Sequence, residues 1–319
     1  MTPAAIDSAI KKPPREAAFD PVFKWTCFAA ATALLSALGG VIACLALGAW
    51  PALAKFGLHF FTSTDWNPVT DVYGAAGPIV GTLVTATIAL ALSLPVAAGV
   101  AFFLTELCPA KLRRPIGTAV ELLAGIPSIV YGMWGLFVFA PLFSKYVQMP
   151  LMMAATPGSL LEKLTAGVPN GSGILSASII LAIMILPFMA ATLRELLLTV
   201  PVAVRESAYG LGATTAEVVM SVTLPYVRGG AIGAVMLGLG RALGETMAVT
   251  FIIGNSHGFP QSMFDSGSTI ASTIANEFTE ATSPAHSAAL IALGLVLFVI
   301  TFVVLALARL LLGRAEHRL

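Results

Sequence analysis

The sequence is poor in charged residues and in cysteine. Asp, Glu, Lys and Arg make up only 10% of its 319 residues, and hydrophobic residues make up 57%. A soluble domain carries about 25% charged residues, so this class of protein is excluded. The three cysteines form an odd, scattered set without the spacing of a zinc site or of a disulfide framework. The composition predicts an all-α polytopic membrane protein.

Several motifs of enzymes are also missing. The sequence contains no Gly-x-x-x-x-Gly-Lys-Ser/Thr loop, so the chain cannot hold a nucleotide in the P-loop manner. It contains no His-Glu-x-x-His, no Gly-x-Ser-x-Gly and no Asp within its long apolar stretches. We therefore expect no enzyme activity, no metal site and no cofactor bound by this chain. The formal net charge of +1 argues neither for nor against nucleic acid, and we expect none as a partner.

Six apolar stretches are each long enough to cross about 30 Å of hydrocarbon as a helix. The first is longer than the apolar region of about 7–15 residues usual in a signal peptide, so we interpret it as a retained span. Residues 1–26 and 313–319 are predicted to be cytoplasmic tails. The six predicted spans are 27–50, 77–104, 116–143, 174–196, 229–253 and 285–312.

Lysine and arginine are unevenly distributed around these stretches. If the N-terminus is cytoplasmic, thirteen of the 17 fall in inside segments and three in outside segments, and Arg241 lies within a span. Positive residues gather on the cytoplasmic side of membrane proteins. The distribution predicts that both termini, and the loop 197–228 between the fourth and fifth spans, lie in the cytoplasm.

The loop 197–228 has the features of two short helices joined by a turn. Pro201 suits the first turn of a helix, and Gly212 tolerates a helix-ending conformation. Thr214 and Glu217 have the spacing of a capping box, which predicts a second helix that Pro225 closes. Because so apolar a chain has little polar sequence, a folded loop indicates a docking surface for another protein. A plain linker between spans is the alternative.

Two ionisable residues lie within the fifth predicted span. Arg241 and Glu245 are four positions apart, which places them on one face of a continuous helix. A charge in mid-membrane normally faces a pathway or a partner. One interpretation is that the pair acts in transport, either because Arg241 binds an anion whose retention Glu245 weakens or by indirect gating. The other is that the pair is a structural salt bridge. Ser128 and Tyr131 of the third span either line a path or make ordinary hydrogen bonds between helices.

The loop residues carry a family resemblance. A Glu, two small residues, a Gly at the sixth position after the Glu and a hydrophobic-x-Leu-Pro ending resemble the EAA loop of binding-protein-dependent ABC importer permeases. The resemblance implies six transmembrane helices of the ABC importer permease type, with a coupling helix that docks on a separate ATPase. The matching residues are Glu206, Ser207, Ala208, Gly212, Leu224 and Pro225.

Two further stretches, 121–132 and 240–255, resemble the phosphate-uptake ABC permeases of the PstC-like type. The resemblance implies a multi-pass protein of the bacterial inner membrane that moves inorganic phosphate into the cytoplasm by alternating access. Arg241 and Glu245 match charged positions of that family's pathway span. The partners implied are a PstA-like second permease, a PstB-like ATPase dimer that holds ATP and Mg, a PstS-like external phosphate-binding protein, and membrane lipid.

Other functions stay open at this point. An ABC permease for another oxyanion, such as sulfate or molybdate, would share the docking loop and an anion-facing arginine. An ion-gradient-driven transporter would lack the docking loop, and a membrane receptor or scaffold would use the intramembrane charges structurally. A permease homodimer is a further alternative, against which only the PstC likeness argues.

Overall fold

The computed structural model describes residues 14–316, with side chains from residue 21 to residue 310. In that part of the chain, six helical segments are long and apolar enough to cross a membrane. The expectation of an all-α protein with six transmembrane helices is therefore confirmed. We number these segments as spans 1 to 6, in the order Pro21–Phe56, Ala76–Leu107, Ser128–Ala154, Ile174–Leu198, Thr215–Leu243 and Pro284–Leu310.

The spans are built from helices interrupted by π turns and joined by shorter elements. The α-helices are Pro14–Phe56, His59–Thr62, Ala76–Phe102, Ala110–Ala124, Ser128–Trp134, Ala140–Phe143, Met149–Ala154, Leu160–Thr165, Ile174–Leu198, Val202–Gly210, Thr215–Val218, Leu224–Leu243, Met247–Thr250, Ile270–Glu277 and Pro284–Glu316. The π turns are Phe103–Leu107, Gly135–Phe139, Ser144–Gln148 and Val219–Thr223. The strands Trp66–Asn67 and Val72–Tyr73 pair as a short antiparallel hairpin.

The chain divides into two compact units at the junction of Gly48 and Ala49. In its described part, the first unit is the beginning of the helix Pro14–Phe56. This helix starts inside the predicted tail 1–26, because Pro14 suits the first turn and good helix formers follow it. Residues 1–13 lie outside the described part of the chain. At the other terminus the last helix continues through 313–316, and 317–319 are not among the described residues.

The third predicted span, 116–143, corresponds to two separate helices. Ala110–Ala124 ends at Gly125, and span 3 begins at Ser128, twelve residues later than predicted. Between them Pro127 has an extended backbone, with ψ of 139°. Proline disfavours a helical conformation in the residue before it, so the chain breaks here although the hydrophobic pattern continues.

Spans 2, 4 and 5 enclose the main hydrophobic core of the second unit. On span 2, every fourth residue from Thr85 to Ala101 is small and buried, which lets that helix lie close to span 4. On span 5, Gly230 and Gly238 lie against Leu196 and Met189 of span 4, and neither glycine leaves room for a Cβ. Span 4 supplies the large side chains of this core, among them Ile180, Leu181 and Ile185.

The segment after span 5 folds back against spans 2 and 4. Ile252 is fully buried, and its carbonyl accepts a hydrogen bond of 3.0 Å from the Gly173 N–H, just before span 4. A Cβ on Gly77 or Gly81 of span 2 would overlap carbonyl oxygens of this segment. Backbone contacts therefore close this end of the spans. We call it the outer end, and we call the end where spans 2 and 4 finish the basic end.

Candidate functional site: a docking helix and a broken span

The loop at the basic end begins with the predicted short helix. Pro201 precedes the helix Val202–Gly210, which we call the loop helix, and its extended backbone turns the chain into it. After the helix, Gly212 has φ of +89°, a left-handed conformation that glycine adopts without strain. The Gly212 N–H donates to the Tyr209 carbonyl at 2.9 Å. The structure agrees with the sequence-based expectation that this helix ends before Gly212.

The capping box is also present. The Glu217 N–H donates to Thr214 Oγ1 at 3.4 Å, and the Thr214 N–H donates to Glu217 Oε2 at 2.7 Å. The expectation that Pro225 closes the second helix is wrong. That helix passes through the π turn Val219–Thr223 directly into Leu224–Leu243, with Pro225 in the first turn. The π turn accommodates a residue that lacks an N–H, so the loop runs without interruption into span 5.

The predicted coupling residues lie in two places, on the loop helix and at the start of the last helix of span 5. Glu206 and Ser207 are exposed on the loop helix, and Ala208 is half-buried. Leu224 lines an apolar cavity of about 430 Å³ between spans 2, 4 and 5, whereas Pro225 is exposed. Large apolar side chains are exposed around the loop helix, with Val202 at 63% and Leu211 at 90%. An apolar surface of this kind, rimmed by polar groups, is typical of a protein interface.

Arg241 lies at the end of a helix and not in the middle of one. The last helix of span 5 ends at Leu243, and a short turn, Met247–Thr250, follows. Arg241 and Glu245 therefore do not share one face of a continuous helix, which corrects the sequence-based expectation. Gly244 permits the chain to leave the helix, and a Glu245 carboxylate oxygen accepts the Ala248 N–H at 3.3 Å. Within the described side chains, no ion pair joins Arg241 to Glu245.

The Arg241 guanidinium lies over an aromatic ring instead. Its Cζ is 5.5 Å from the centre of the Phe188 ring on span 4, a cation–π distance. Its Nε is buried and has no hydrogen-bond partner. Phe188 was not identified from the sequence. Its position next to Pro187 was the only signal, because a proline inside a span marks an irregular and often functional place.

Span 3 places Tyr131 beside this break. The Tyr131 hydroxyl donates to the Leu123 carbonyl at 3.1 Å. One residue on, Gly132 packs against the turn Met247–Thr250, where a Cβ would lie 2.9 Å from the Met247 carbonyl oxygen. Ser128 is half-buried at the first residue of the span. The structure thus packs the start of span 3 against the turn that follows the helix of Arg241.

A half-buried acid at the outer end was also missed. Glu277 accepts a hydrogen bond of 2.5 Å from Trp66 Nε1 and lies 2.9 Å from the Nε2 atoms of both His257 and His286. The Trp66 ring stacks on His257, and the Tyr73 ring stacks on His286. Burial raises the pKa of Glu277, but hydrogen bonds from His257, Trp66 and His286 outweigh it and lower the pKa below its ordinary value of 4.5. No spacing in the sequence indicates this cluster, because its members come from four separate segments.

Metal binding has no evident site in this arrangement. Among the described side chains, no group of three or more His, Cys, Asp and Glu residues is placed to hold a metal ion. The polar groups at the break are instead a guanidinium, a phenol, a hydroxyl and a carboxylate. Of these, the guanidinium is the group that recognises an oxyanion through two parallel N–H donors.

Known proteins match both the sequence and the fold. Residues 97–317 match the family described as Binding-protein-dependent transport system inner membrane component. The Phosphate transport system permease proteins PstC of Mesorhizobium japonicum and Pasteurella multocida are 54% and 52% identical to this chain. These alignments cover 95% and 88% of this chain, and 93% and 88% of the relatives.

The fold is similar to that of a chain from a bacterial alginate ABC transporter, solved in complex with an alginate pentasaccharide-bound periplasmic protein. The TM-score is 0.61 at 16% identity, over 93% of this chain and 97% of that chain. Together these findings define the class, a membrane-spanning permease of an ABC importer. The chain belongs to the binding-protein-dependent transport system inner membrane components and, among them, to the PstC group of phosphate transport system permeases. It is a multi-pass protein of the inner membrane.

Proposed function

We propose that this chain is the permease through which an ATP-driven importer moves inorganic phosphate into the cytoplasm by alternating access. The observation that carries this proposal is the match, over 95% of the chain, to a relative named as a phosphate transport system permease. In this proposal both termini and the loop helix are cytoplasmic, as the distribution of Lys and Arg indicates. ATP and Mg bind to a separate ATPase dimer, and hydrolysis takes place there.

The loop helix is the proposed docking site for that ATPase. Glu206, Ser207, Ala208 and Gly212 form its exposed side and its end, and Leu224 with Pro225 begin the helix that enters the membrane. The exposed apolar side chains around it favour a protein partner over a solvated linker. The further partners in this proposal are a PstA-like second permease and a PstS-like binding protein at the outer end.

Arg241 is the proposed cationic contact for phosphate on its way across the membrane. Among the described side chains no ion pair with Glu245 neutralises it, so its guanidinium keeps its capacity for a paired hydrogen bond to phosphate oxygens. Glu245, bound to the next turn of backbone, adds a negative charge nearby that disfavours tight retention. Tyr131 and Ser128 supply the neutral polar groups of the same path.

The test is uptake of radiolabelled phosphate by cells that lack their own phosphate importers. The cells express this chain with the permease, ATPase and binding protein encoded beside it, with and without excess sulfate or molybdate. We expect ATP-dependent uptake that requires this chain and that neither competitor reduces. If sulfate or molybdate reduces phosphate uptake, the permease carries that oxyanion, and the proposed substrate is wrong. If an assembled complex takes up no phosphate, the whole proposal is refuted.

A matched pair of variants tests the role of Arg241. Arg241→Gln removes the charge, and we expect uptake to fall at least tenfold while the complex still assembles. Arg241→Lys keeps the charge but loses the paired donors, so we expect an intermediate rate. Uptake at the wild-type rate in Arg241→Gln would show that Arg241 is not a contact for the anion.

A further inference from the structure

The loop helix has almost no apolar anchor of its own. None of the residues of Val202–Gly210 is buried, although the helix contacts Thr215–Val218 and the π turn Val219–Thr223. Arg205 differs from the other polar residues of this helix, because its side chain is only 15% exposed. A short helix whose apolar side chains are not buried against its own chain needs another kind of contact to keep its position. Arg205 supplies one.

Arg205 makes two contacts that fix its guanidinium. Its Nη1 lies 2.9 Å from Glu106 Oε1, and its Nη2 donates to the Val200 carbonyl at 3.3 Å. The Glu106 side chain is 7% exposed, so the ion pair is largely shielded from water. A shielded ion pair with further hydrogen bonds has a narrow range of geometry, and breaking it leaves an uncompensated charge.

The partner of Arg205 belongs to the end of span 2, between buried residues. Glu106 lies in the π turn Phe103–Leu107, next to Leu104 and Thr105, which are both buried. Thr105 Oγ1 donates to the Ala101 carbonyl at 3.0 Å, and the Cys108 N–H donates to the Phe103 carbonyl at 2.8 Å. Ala101 is the last member of the stripe of small residues that packs on span 4. A force on Glu106 is therefore applied to the core between spans 2 and 4.

We infer that the ion pair between Arg205 and Glu106 is a positioning contact that transmits movement of the loop helix to span 2. This inference rests on the proposed coupling role of the loop helix. The loop helix is joined to spans 4 and 5 by the continuous chain, whereas span 2 is about a hundred positions earlier in the sequence. Without the ion pair, movement of the loop helix reaches span 2 only through the packing of span 2 on spans 4 and 5. With it, the movement is applied directly to span 2 as well.

The experiment measures coupling in the complete complex, purified and reconstituted in vesicles with its phosphate-binding protein. Phosphate uptake and ATP hydrolysis are recorded on the same samples, and their ratio is the readout. For Arg205→Gln and for Glu106→Gln, we expect the ratio to fall at least fivefold while hydrolysis continues. For the double variant Arg205→Glu with Glu106→Arg, we expect the ratio to recover to at least half of the wild-type value.

The matched control is Glu121→Gln. Glu121 lies 2.8 Å from Arg194 at the same end of the spans, but its side chain is 50% exposed. Removing that ion pair should change the ratio less than twofold. Arg205→Lys, which keeps the charge and loses the contact to Val200, should assemble even where Arg205→Gln does not, with an intermediate ratio.

A wild-type ratio in Arg205→Gln would overturn the inference, and so would a double variant that is no better than the single ones. If Arg205→Gln does not assemble, Glu106→Gln supplies the test, and a wild-type ratio in that variant would overturn the inference. Failure of the proposed function has a different result, because the wild-type complex itself would then take up no phosphate.

Discussion

Removing the Glu277 carboxylate should destabilise the outer end of the protein more than any exposed substitution. In Glu277→Ala, three donors lose one acceptor: the Trp66 indole and the His257 and His286 rings. The His286 side chain is 5% exposed and cannot turn to water, whereas that of His257 is 26% exposed and partly can. A buried donor without a partner costs about 1–3 kcal/mol. With His257 given no weight, the two remaining donors give an expected cost of about 2–6 kcal/mol.

The assay is the apparent melting temperature of the purified protein in detergent, read as the loss of the folded species after heating. A change of 1 kcal/mol shifts the melting temperature of a domain of 150–250 residues by about 2–4 °C. At about 2 °C per kcal/mol, the low figure that suits a chain of 319 residues, we expect Glu277→Ala to melt about 4–12 °C below the wild type. The matched control is Glu280→Ala, three residues further on, where the side chain is exposed and a small shift is expected.

Equal melting temperatures for Glu277→Ala and Glu280→Ala would refute this reasoning. They would mean that the indole and both imidazoles find other partners at no cost, so that Glu277 does not hold the hairpin, the segment before Ile270 and the start of span 6 together. Glu277→Gln refines the test because it keeps the shape and one acceptor oxygen. Its melting temperature should lie between those of the wild type and Glu277→Ala.

Three further predictions concern pH, the loop and the break. Because the pKa of Glu277 is lowered on folding, its contribution to stability is present above its ordinary pKa of 4.5 and is lost as the pH falls through the lower folded value. The difference in melting temperature between wild type and Glu277→Gln should therefore shrink below pH 4.5. Gly212→Val should abolish phosphate uptake and leave the protein in the membrane, because valine resists φ of +89°. Gly210→Ala, at a helical position with open space around the added Cβ, should keep near wild-type uptake as its control. Gly132→Leu should lower both uptake and melting temperature, because its Cβ would lie 2.8 Å from the Phe251 ring.

The membrane spans and the loop helix were predictable because their signals are local. Span 4, predicted over 174–196, is Ile174–Leu198, since a continuous apolar run needs only length to be recognised. The capping box at Thr214 depends on residues three positions apart, and it is present with both hydrogen bonds. The loop motif likewise lies within one stretch of the sequence, so a resemblance identified it.

The two breaks in the spans were not predictable from hydrophobicity. Residues 116–143 and 229–253 read as single apolar runs, but the chain leaves the helix at Pro127 and again at Gly244. Proline inside a membrane helix produces either a kink or an end, and the sequence does not separate the two outcomes. What decides between them is packing between distant segments, such as Gly132 against the turn Met247–Thr250.

The break after span 5 changes how an arginine and a glutamate are stabilised in the membrane. In a continuous helix the two charges would have to neutralise each other, and an anion would compete with Glu245 for Arg241. In the structure Arg241 lies in the last turn of one helix, where the negative end of the helix dipole favours a cation. Glu245 accepts an N–H at the start of the next turn, where an anion is favoured. Glu245 therefore has a backbone partner of its own, and the Arg241 guanidinium lies over Phe188, where we propose that it is available to a transported anion.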